Sequence, residues 1–404
     1  MKIAYFSTEY PPLIYGGLGV YVDCISRELT ELGEKISVFA WGNGRLKRHE
    51  DVQGTRVFRE TPVPMREGLE VFFSHETLAW GSGLNFLADL LAYNQLSAAD
   101  VIESGPYDLC VAHDWLGLSG GMAVKNKGIP MIYHVHGLEI GRSKHPNIQL
   151  VNLEKKGSEV ADAVITVSES MKQELVGMGV PTDKIYVCYH GVDADFFDPD
   201  RVDPNRLQAL KDRYGIVEGD IIILFVGRLE PVKGVIQLIQ AMSTVVNKHP
   251  NAKLLIVGKG SLEEQVRAYS EEFITLVTDF LEPVEKMYHY ALADLCVFPS
   301  LYEPFGIVAL EAAAMAKPAV VGARGTSGLR EIVENPATQK PTGVHINAHD
   351  PADIAWGINL ALEDPGRLKE WGKNARARVL DLFTWRKAAE KTLEIYRKVI
   401  TSPS

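Results

Sequence analysis

Two groups of residues in the second half of the chain have the types and spacing to hold a charged leaving group. The first is Gly227-Arg228-Leu229-Glu230-Pro231-Val232-Lys233-Gly234. It follows an apolar run, Ile221–Val226, and precedes an amphipathic stretch, so it reads as the loop between a strand and a helix. Arg228 and Lys233, five residues apart, can converge on one anion, and the following helix N-terminus adds partial positive charge. That combination suits a diphosphate whose charge increases as it leaves, and both cations are expected to be solvent-accessible. The second group is Glu303-Pro304-Phe305-Gly306-Ile307-Val308-Ala309-Leu310-Glu311, after the run Leu295–Phe298. Gly306 permits close backbone approach, and the amides of Gly306, Ile307 and Val308 are the free donors of a new helix. Glu311, one turn in, can accept from two adjacent ribose hydroxyls, and Glu303 is placed toward the sugar end. The plainer alternatives are a solvated turn with incidental charges and an ordinary acidic helix start.

A third group lies in the first half, where three apolar runs end in polar side chains: Ser7-Thr8-Glu9, His113-Asp114 and His134-Val135-His136. Strand alternation puts His134 and His136 on one face. Nearby, Gly16-Gly17-Leu18-Gly19 opens a helix whose amides can meet a phosphate or a sugar oxygen. This is not Gly-x-Gly-x-x-Gly, and none follows the first strand, which disfavours a nicotinamide enzyme. Asp193-Ala194-Asp195 has the form of a metal-binding pair, but Asp198 and Asp200 continue the acidic run, and a solvated turn explains it. Arg228 and Lys233 can neutralise a diphosphate themselves, so no metal is expected.

These loops need a scaffold, and the chain supplies alternating short apolar runs and amphipathic stretches. Strands are expected at Lys2–Phe6, Ile36–Ala40, Leu109–Ala112, Met131–Val135, Ala163–Val167 and Lys184–Cys188. In the second half they are expected at Ile221–Val226, Lys253–Val257, Ile274–Val277, Leu295–Phe298 and Ala319–Val321. Helices are expected at Gly19–Leu32, Ser82–Glu103, Ser168–Met178 and in the tail, Trp385–Ile400. Unbroken apolar strands alternating with helices imply parallel, doubly wound sheets, with ligands at the carboxyl ends of the strands. A polar, Pro-bearing stretch, Asp193–Asp220, separates two such series. The expected domains are 1–192 and 193–384, with a last helix, about 385–404, packing back on the first.

Composition sets the class. The 404 residues are 46% hydrophobic and 23% charged, which fits two globular domains and excludes a disordered chain. The net charge of −10 makes nucleic acid an unfavourable partner. The four cysteines, Cys24, Cys110, Cys188 and Cys296, form no Cys-x-x-Cys and read as free thiols in a reducing compartment. No apolar run is long enough to span a membrane and the start is no signal peptide, so the expected location is cytoplasmic.

Taken together, these motifs resemble retaining GT-B glycosyltransferases, the group that holds glycogen, sucrose and trehalose-type synthases. The signs are Thr8-Glu9-Tyr10-Pro11-Pro12 with Gly16-Gly17-Leu18-Gly19, His113-Asp114-Trp115, His136-Gly137, His190-Gly191-Val192-Asp193, Gly227-Arg228 with Lys233-Gly234, and Glu303 with Glu311. The resemblance implies an α/β fold of two Rossmann-like, doubly wound domains with an interdomain cleft, an N-terminal acceptor domain and a C-terminal donor domain. By the same resemblance, Arg228 and Lys233 bind the donor diphosphate and Glu311 the ribose. Glu303 and the amides of Phe305, Gly306, Ile307 and Val308 hold the transferred sugar. His136 contacts that sugar near the reacting carbon, and Gly16, Gly17, Leu18 and Gly19 add donor contacts. Glu9, His113 and Asp114 are sugar-side or acceptor-side contacts. Retention without metal or cofactor is implied, the nucleotide-sugar being a substrate.

Glucan-elongating relatives often carry Lys two positions before the Gly-Gly pair, where this chain has Ile14. The opening Pro11–Gly17 looks closer to enzymes that build glucan or maltose phosphate. The expected reaction is glucosyl transfer from ADP- or UDP-glucose to a glucan, sugar or sugar phosphate. The alternatives are a lipid-linked or small-molecule acceptor, a nucleotide-sugar epimerase on the same fold, and a non-catalytic nucleotide-binding protein.

Overall fold

The computed structural model describes residues 1–63, 82–142, 146–269, 272–279 and 281–401. The chain packs as two units. The first comprises Met1–Val167, Leu175–Cys188 and the residues from Ala388 onward; the second comprises Ser168–Glu174 and Tyr189–Lys387.

The first unit holds an eight-stranded sheet in the order β3-β4-β2-β1-β5-β6-β7-β8. Its strands are β1 Lys2–Phe6, β2 Lys35–Trp41, β3 His49–Val52, β4 Thr55–Glu60, β5 Leu109–His113, β6 Met131–Val135, β7 Ala163–Thr166 and β8 Ile185–Val187. The central strands are buried on both faces, which is why their sequences are unbroken apolar runs. The sequence led to the expectation of a parallel sheet, and the structure departs from it at the edge, where β3 pairs antiparallel with β4. Gln53 and Gly54, with φ of 52° and 81°, make the tight hairpin turn between them.

The second unit holds a six-stranded sheet in the order β11-β10-β9-β12-β13-β14. These strands are β9 Ile221–Val226, β10 Ala252–Val257, β11 Ile274–Val277, β12 Leu295–Phe298, β13 Ala319–Gly322 and β14 Gly343–Ile346. All its pairings are parallel. The helix Val235–Lys248 covers it with Val235, Leu238, Ile239, Met242 and Val245, an apolar stripe at helical spacing.

The segment Ser168–Glu174, read as part of the first half, packs with the second unit. Ser168 Oγ donates to the Pro304 carbonyl at 2.7 Å, and the Glu331 carboxylate accepts from the amides of Glu169 and Ser170. The tail helix runs Trp385–Thr401, and residues 402–404 of the expected tail lie outside the described residues. From Ala388 onward the tail helix joins the first unit, where Tyr396 and Tyr5 share a buried hydroxyl contact of 2.8 Å.

In each sheet the strand order reverses at the unit's first strand. β1 lies between β2 and β5, and β9 lies between β10 and β12. Loops leaving the carboxyl ends of the strands on either side of such a reversal diverge to opposite faces and leave room for a ligand.

Candidate active site

In the second unit the reversal lies between β9 and β12, and the two sequence groups singled out above leave these strands. Gly234 ends the β9 loop at φ 70°, and a Cβ there would lie 2.0 Å from the Pro299 carbonyl oxygen. Only glycine fits, so the loop is pressed against the end of β12. Arg228 is exposed and forms no hydrogen bond or ion pair among the described residues. Lys233 is not solvent-accessible in the way expected: its side chain is 18% exposed and its Nζ lies 2.5 Å from Glu303 Oε2. Glu303 is itself buried, and Ser300 Oγ donates to the same oxygen at 3.2 Å. The buried carboxylate draws the ammonium in, because neither charge is well solvated alone.

Backbone bonds fix Glu303: its amide donates to the Thr326 carbonyl and its carbonyl accepts from Gly328. Gly306, at φ 112°, begins the helix Ile307–Ala314 and packs so closely on Leu329 that a Cβ would sit 2.4 Å from its Cδ2. The amides of Ile307 and Val308 are that helix's first and have no intrahelical partner. Phe305 is buried, stacked on Tyr189 with centroids 5.7 Å apart.

Glu311 is buried one turn into this helix, and both of its oxygens are engaged. Lys286 Nζ lies 2.5 Å from Oε1, and the Tyr290 hydroxyl donates to Oε2 at 2.8 Å. Burial, followed by the Glu311 charge, raises the Tyr290 hydroxyl well above its ordinary range. Lys286 and Tyr290 escaped the sequence reading. Their only signal was an i,i+4 pair on the helix Pro283–Leu292, which leads into β12.

In the first unit the reversal lies between β1 and β5. Glu9, just past β1, has a role the sequence did not reveal. Its Oε2 accepts from the amides of Tyr15, Gly16 and Gly19 at 2.9, 3.0 and 3.2 Å. The carboxylate caps the N-terminus of the helix Gly17–Glu31, a favourable place for negative charge. This corrects the expectation that all four residues of Gly16-Gly17-Leu18-Gly19 offer amides to a ligand. Those of Gly16 and Gly19 are taken; those of Gly17 and Leu18 are left.

His113, His134 and His136 form one buried stack. His134 and His136 lie 4.3 Å apart with planes within 10°, and His113 Nδ1 lies 3.0 Å from His136 Nε2. Ring nitrogens this close are a metal-binding pattern, but in-plane lone pairs of stacked rings do not converge on one point as a tetrahedral ion demands. The hydrogen bond holds the His136 ring in its orientation instead. His113 and Asp114, expected as sugar or acceptor contacts, are both buried, and each makes a hydrogen bond to His136. Asp114, at φ 53°, accepts from the His136 amide at 2.7 Å and from Arg142 at 3.2 Å. Burial raises its carboxyl above the usual range, against the pull of Arg142. Nearby Glu154, fully buried, is pushed up to about 8 by burial.

Asp193 and Asp195 are exposed, and Asp193 accepts from the Phe196 amide at 2.8 Å within its own turn. Of the four cysteines, all free, only Cys24 is not buried. Among the described residues no helix is long and apolar enough to cross a membrane.

Most of the chain is similar to known proteins. Residues 15–196 match the model for Glycosyltransferase Family 4, and residues 208–378 match that for Glycosyl transferases group 1. The glycogen synthase of Mycobacterium tuberculosis is 31% identical, over 98% of this chain and 94% of that protein. An alpha-maltose-1-phosphate synthase of Mycolicibacterium smegmatis is 30% identical, over 99% of this chain and 100% of that protein. Among solved structures, sucrose-phosphate synthase from Thermosynechococcus elongatus is similar with a TM-score of 0.78 and 23% identity, each chain covered fully.

Proposed function

The chain belongs to the GT-B glycosyltransferases of group 1 and family 4, and we propose that it is a retaining hexosyltransferase. The reaction is transfer of a glucosyl unit from ADP- or UDP-glucose to a carbohydrate acceptor, with no divalent metal and no cofactor. The observation that carries the reading is the pair of carboxylates astride the Gly306 helix start, beside the Arg228–Lys233 loop. One carboxylate holds Lys233 and the other holds Lys286.

In this reading Arg228 and Lys233 bind the diphosphate and stabilise the charge that grows as it departs. Lys233 turns from Glu303 to the phosphate when donor binds, which frees Glu303 for hydroxyls of the transferred sugar. The amides at residues 305–308 add donors to that sugar, and Glu311 accepts from the ribose. In the first unit, the amides of Gly17 and Leu18 donate to the diphosphate. His136, oriented by His113 and Asp114, meets the sugar near the reacting carbon. Relatives that are glycogen and maltose-1-phosphate synthases support glucose as the unit moved.

The test is a panel of ADP-, UDP- and GDP-sugars against glucose phosphates, maltooligosaccharides and glycogen, read by nucleoside diphosphate release. Anomeric configuration of the product is read by NMR, and the best pair is repeated in excess chelator. Release confined to ADP- or UDP-glucose, with retained configuration and undiminished by chelator, is the expected result. Loss of turnover in chelator, restored by magnesium or manganese, overturns the metal-free reading.

A further inference from the structure

Away from both reversals, three side chains with metal-ligating atoms meet at the edge of the first sheet. His49 lies on β3, Glu60 on β4 and Asp100 on the helix Ser82–Ser104. One ligand atom from each lies within 4.8 Å of the other two. Register brings them together. His49 pairs with Phe58 across the β3–β4 hairpin, and Glu60, two residues on from Phe58, shares that face of the sheet. The His49 ring packs on Phe58 with centroids 4.9 Å apart, which restrains its orientation. The helix lays Asp100 beside it, with Oδ2 3.9 Å from His49 Nε2.

The two carboxylates share one guanidinium. Arg48 Nε and Nη2 donate to the two Glu60 oxygens at 3.1 and 3.2 Å, and Nη2 also donates to Asp100 at 3.2 and 3.3 Å. Each bond is longer than the roughly 2.7–2.9 Å of a tight charge-assisted one, so a single cation is stretched over two acids. Glu60 is 3% exposed, and burial, followed by the Asp100 contact, raises its carboxyl above the usual range against the pull of Arg48. Both causes favour further positive charge on the carboxylate oxygens, and a divalent ion supplies it more fully than a proton. The imidazole sets the class of ion. Two carboxylates alone suit a hard cation held largely by water, whereas an added histidine nitrogen suits zinc and its transition-metal neighbours. Ligand atoms around a tetrahedral zinc, at about 2.0–2.1 Å, stand roughly 3.3 Å from one another, so movements of about 1.5 Å at most close the site. His49 and Arg48, 56% and 59% exposed, are the side chains placed to make them.

We propose that His49, Glu60 and Asp100 bind a zinc-type divalent cation, which displaces the Arg48 guanidinium and ties the β3–β4 hairpin to the helix Ser82–Ser104. β4 stands two places from β1 in the sheet, roughly 10 Å, so the ion holds the scaffold and takes no part in sugar transfer. The proposal is independent of the metal-free chemistry proposed above.

Calorimetric titration of the metal-stripped full chain with zinc chloride, and separately with magnesium chloride, tests it. One saturable zinc site is expected, at least about tenfold tighter than for magnesium, because imidazole prefers zinc. His49→Ala and Asp100→Asn should each weaken zinc binding at least about tenfold. Arg48→Gln should strengthen it, since the competing guanidinium is gone. Saturating zinc should raise the melting temperature by about 2–4 °C or more, and His49→Ala should abolish that rise. His49 and Arg48 are exposed enough for their variants to fold, and circular dichroism checks that all three have. No saturable zinc binding, equal affinity for magnesium, or binding unchanged in both His49→Ala and Asp100→Asn overturns the proposal. Weaker binding by Arg48→Gln overturns it too, because Arg48 would then support the ion and not compete with it. No nucleotide-sugar is present, so failure of the donor panel and failure of this experiment are separate results.

Discussion

Lys286 gives the sharpest test of how the donor is held. In the proposed mode Glu311 accepts from the ribose, a part of the donor that does not change during transfer. Lys286, 2.5 Å from Glu311 Oε1, does not touch the ribose; it orients the carboxylate that does. Replacing it by alanine removes a hydrogen bond between charged groups, worth about 1.5–3 kcal/mol. Two features put this case at the low end. The Lys286 side chain is 26% exposed, so solvent replaces part of the interaction, and Tyr290 still holds Oε2. A loss of about 1.5 kcal/mol corresponds to roughly a tenfold rise in donor KM. Uniform binding affects KM and leaves kcat alone, so kcat should stay within about twofold. Lys286→Arg, which keeps the charge, should recover most of the affinity. Steady-state kinetics with the best donor at saturating acceptor, beside direct donor titration by calorimetry, reads both quantities. A variant that lost kcat with donor KM unmoved would refute the reasoning, because it would put Glu311 at the reacting centre and not at the ribose. Merely structural damage would show as lost stability that Lys286→Arg and Lys286→Ala share.

Arg228→Ala and Lys233→Ala should each lower kcat/KM roughly 100- to 1000-fold, the usual value of one preorganised charge on a leaving group, about 2.7–4 kcal/mol. They should differ in thermal unfolding. Arg228 is exposed and unpaired among the described residues, whereas removing Lys233 leaves the buried Glu303 without its counter-charge, so only Lys233→Ala should melt measurably earlier. Glu303→Gln and His136→Ala should mainly depress kcat and Glu311→Gln mainly raise donor KM; the reverse pattern in steady-state kinetics would put the donor in backwards. Glu154, pushed up to about 8 by burial from an ordinary 4.5, keeps a proton in the folded protein that the unfolded chain has released. Stability should therefore fall as pH rises from about 4.5 to about 8, and Glu154→Gln should flatten that slope in urea unfolding.

Most of the scaffold was legible because parallel strands buried on both faces must be unbroken apolar runs. Lys2–Phe6, Met131–Val135, Ile221–Val226 and Leu295–Phe298 end in the structure where the sequence put them. The hairpin of β3 and β4 was not legible. His49–Val52 is half-exposed and charged, and its pairing depends on a turn at Gln53–Gly54 that lacks the usual Asn-Gly or Asp-Gly signal. β14 was missed because four residues, Gly343–Ile346, carry no period to detect. The site shows the same division. Loops after strands could be named from residue types, since a cation or carboxylate at a strand's end has few structural uses. What those residues spend their bonds on could not. No spacing rule makes a carboxylate at position 9 bond amides at 15, 16 and 19, or makes Asp114 turn at positive φ to hold the His136 amide. Those facts depend on how the loops close in three dimensions.

The return of the last helix has a consequence for synthesis on the ribosome. The first unit takes its final piece from residues beyond Ala388, which emerge only after the whole second unit has been made. Until then Tyr5 lacks its Tyr396 partner, Cys188 lacks Thr392, and Glu34 lacks Arg397. Nascent domains ordinarily fold in order from the N-terminus. Here the N-terminal unit starts first and finishes last, exposing the groove of its missing helix while the second unit emerges. Synthesis that stalls short of Ala388 therefore leaves a complete second unit tethered to an unfinished first one, the species chaperones and proteases would meet.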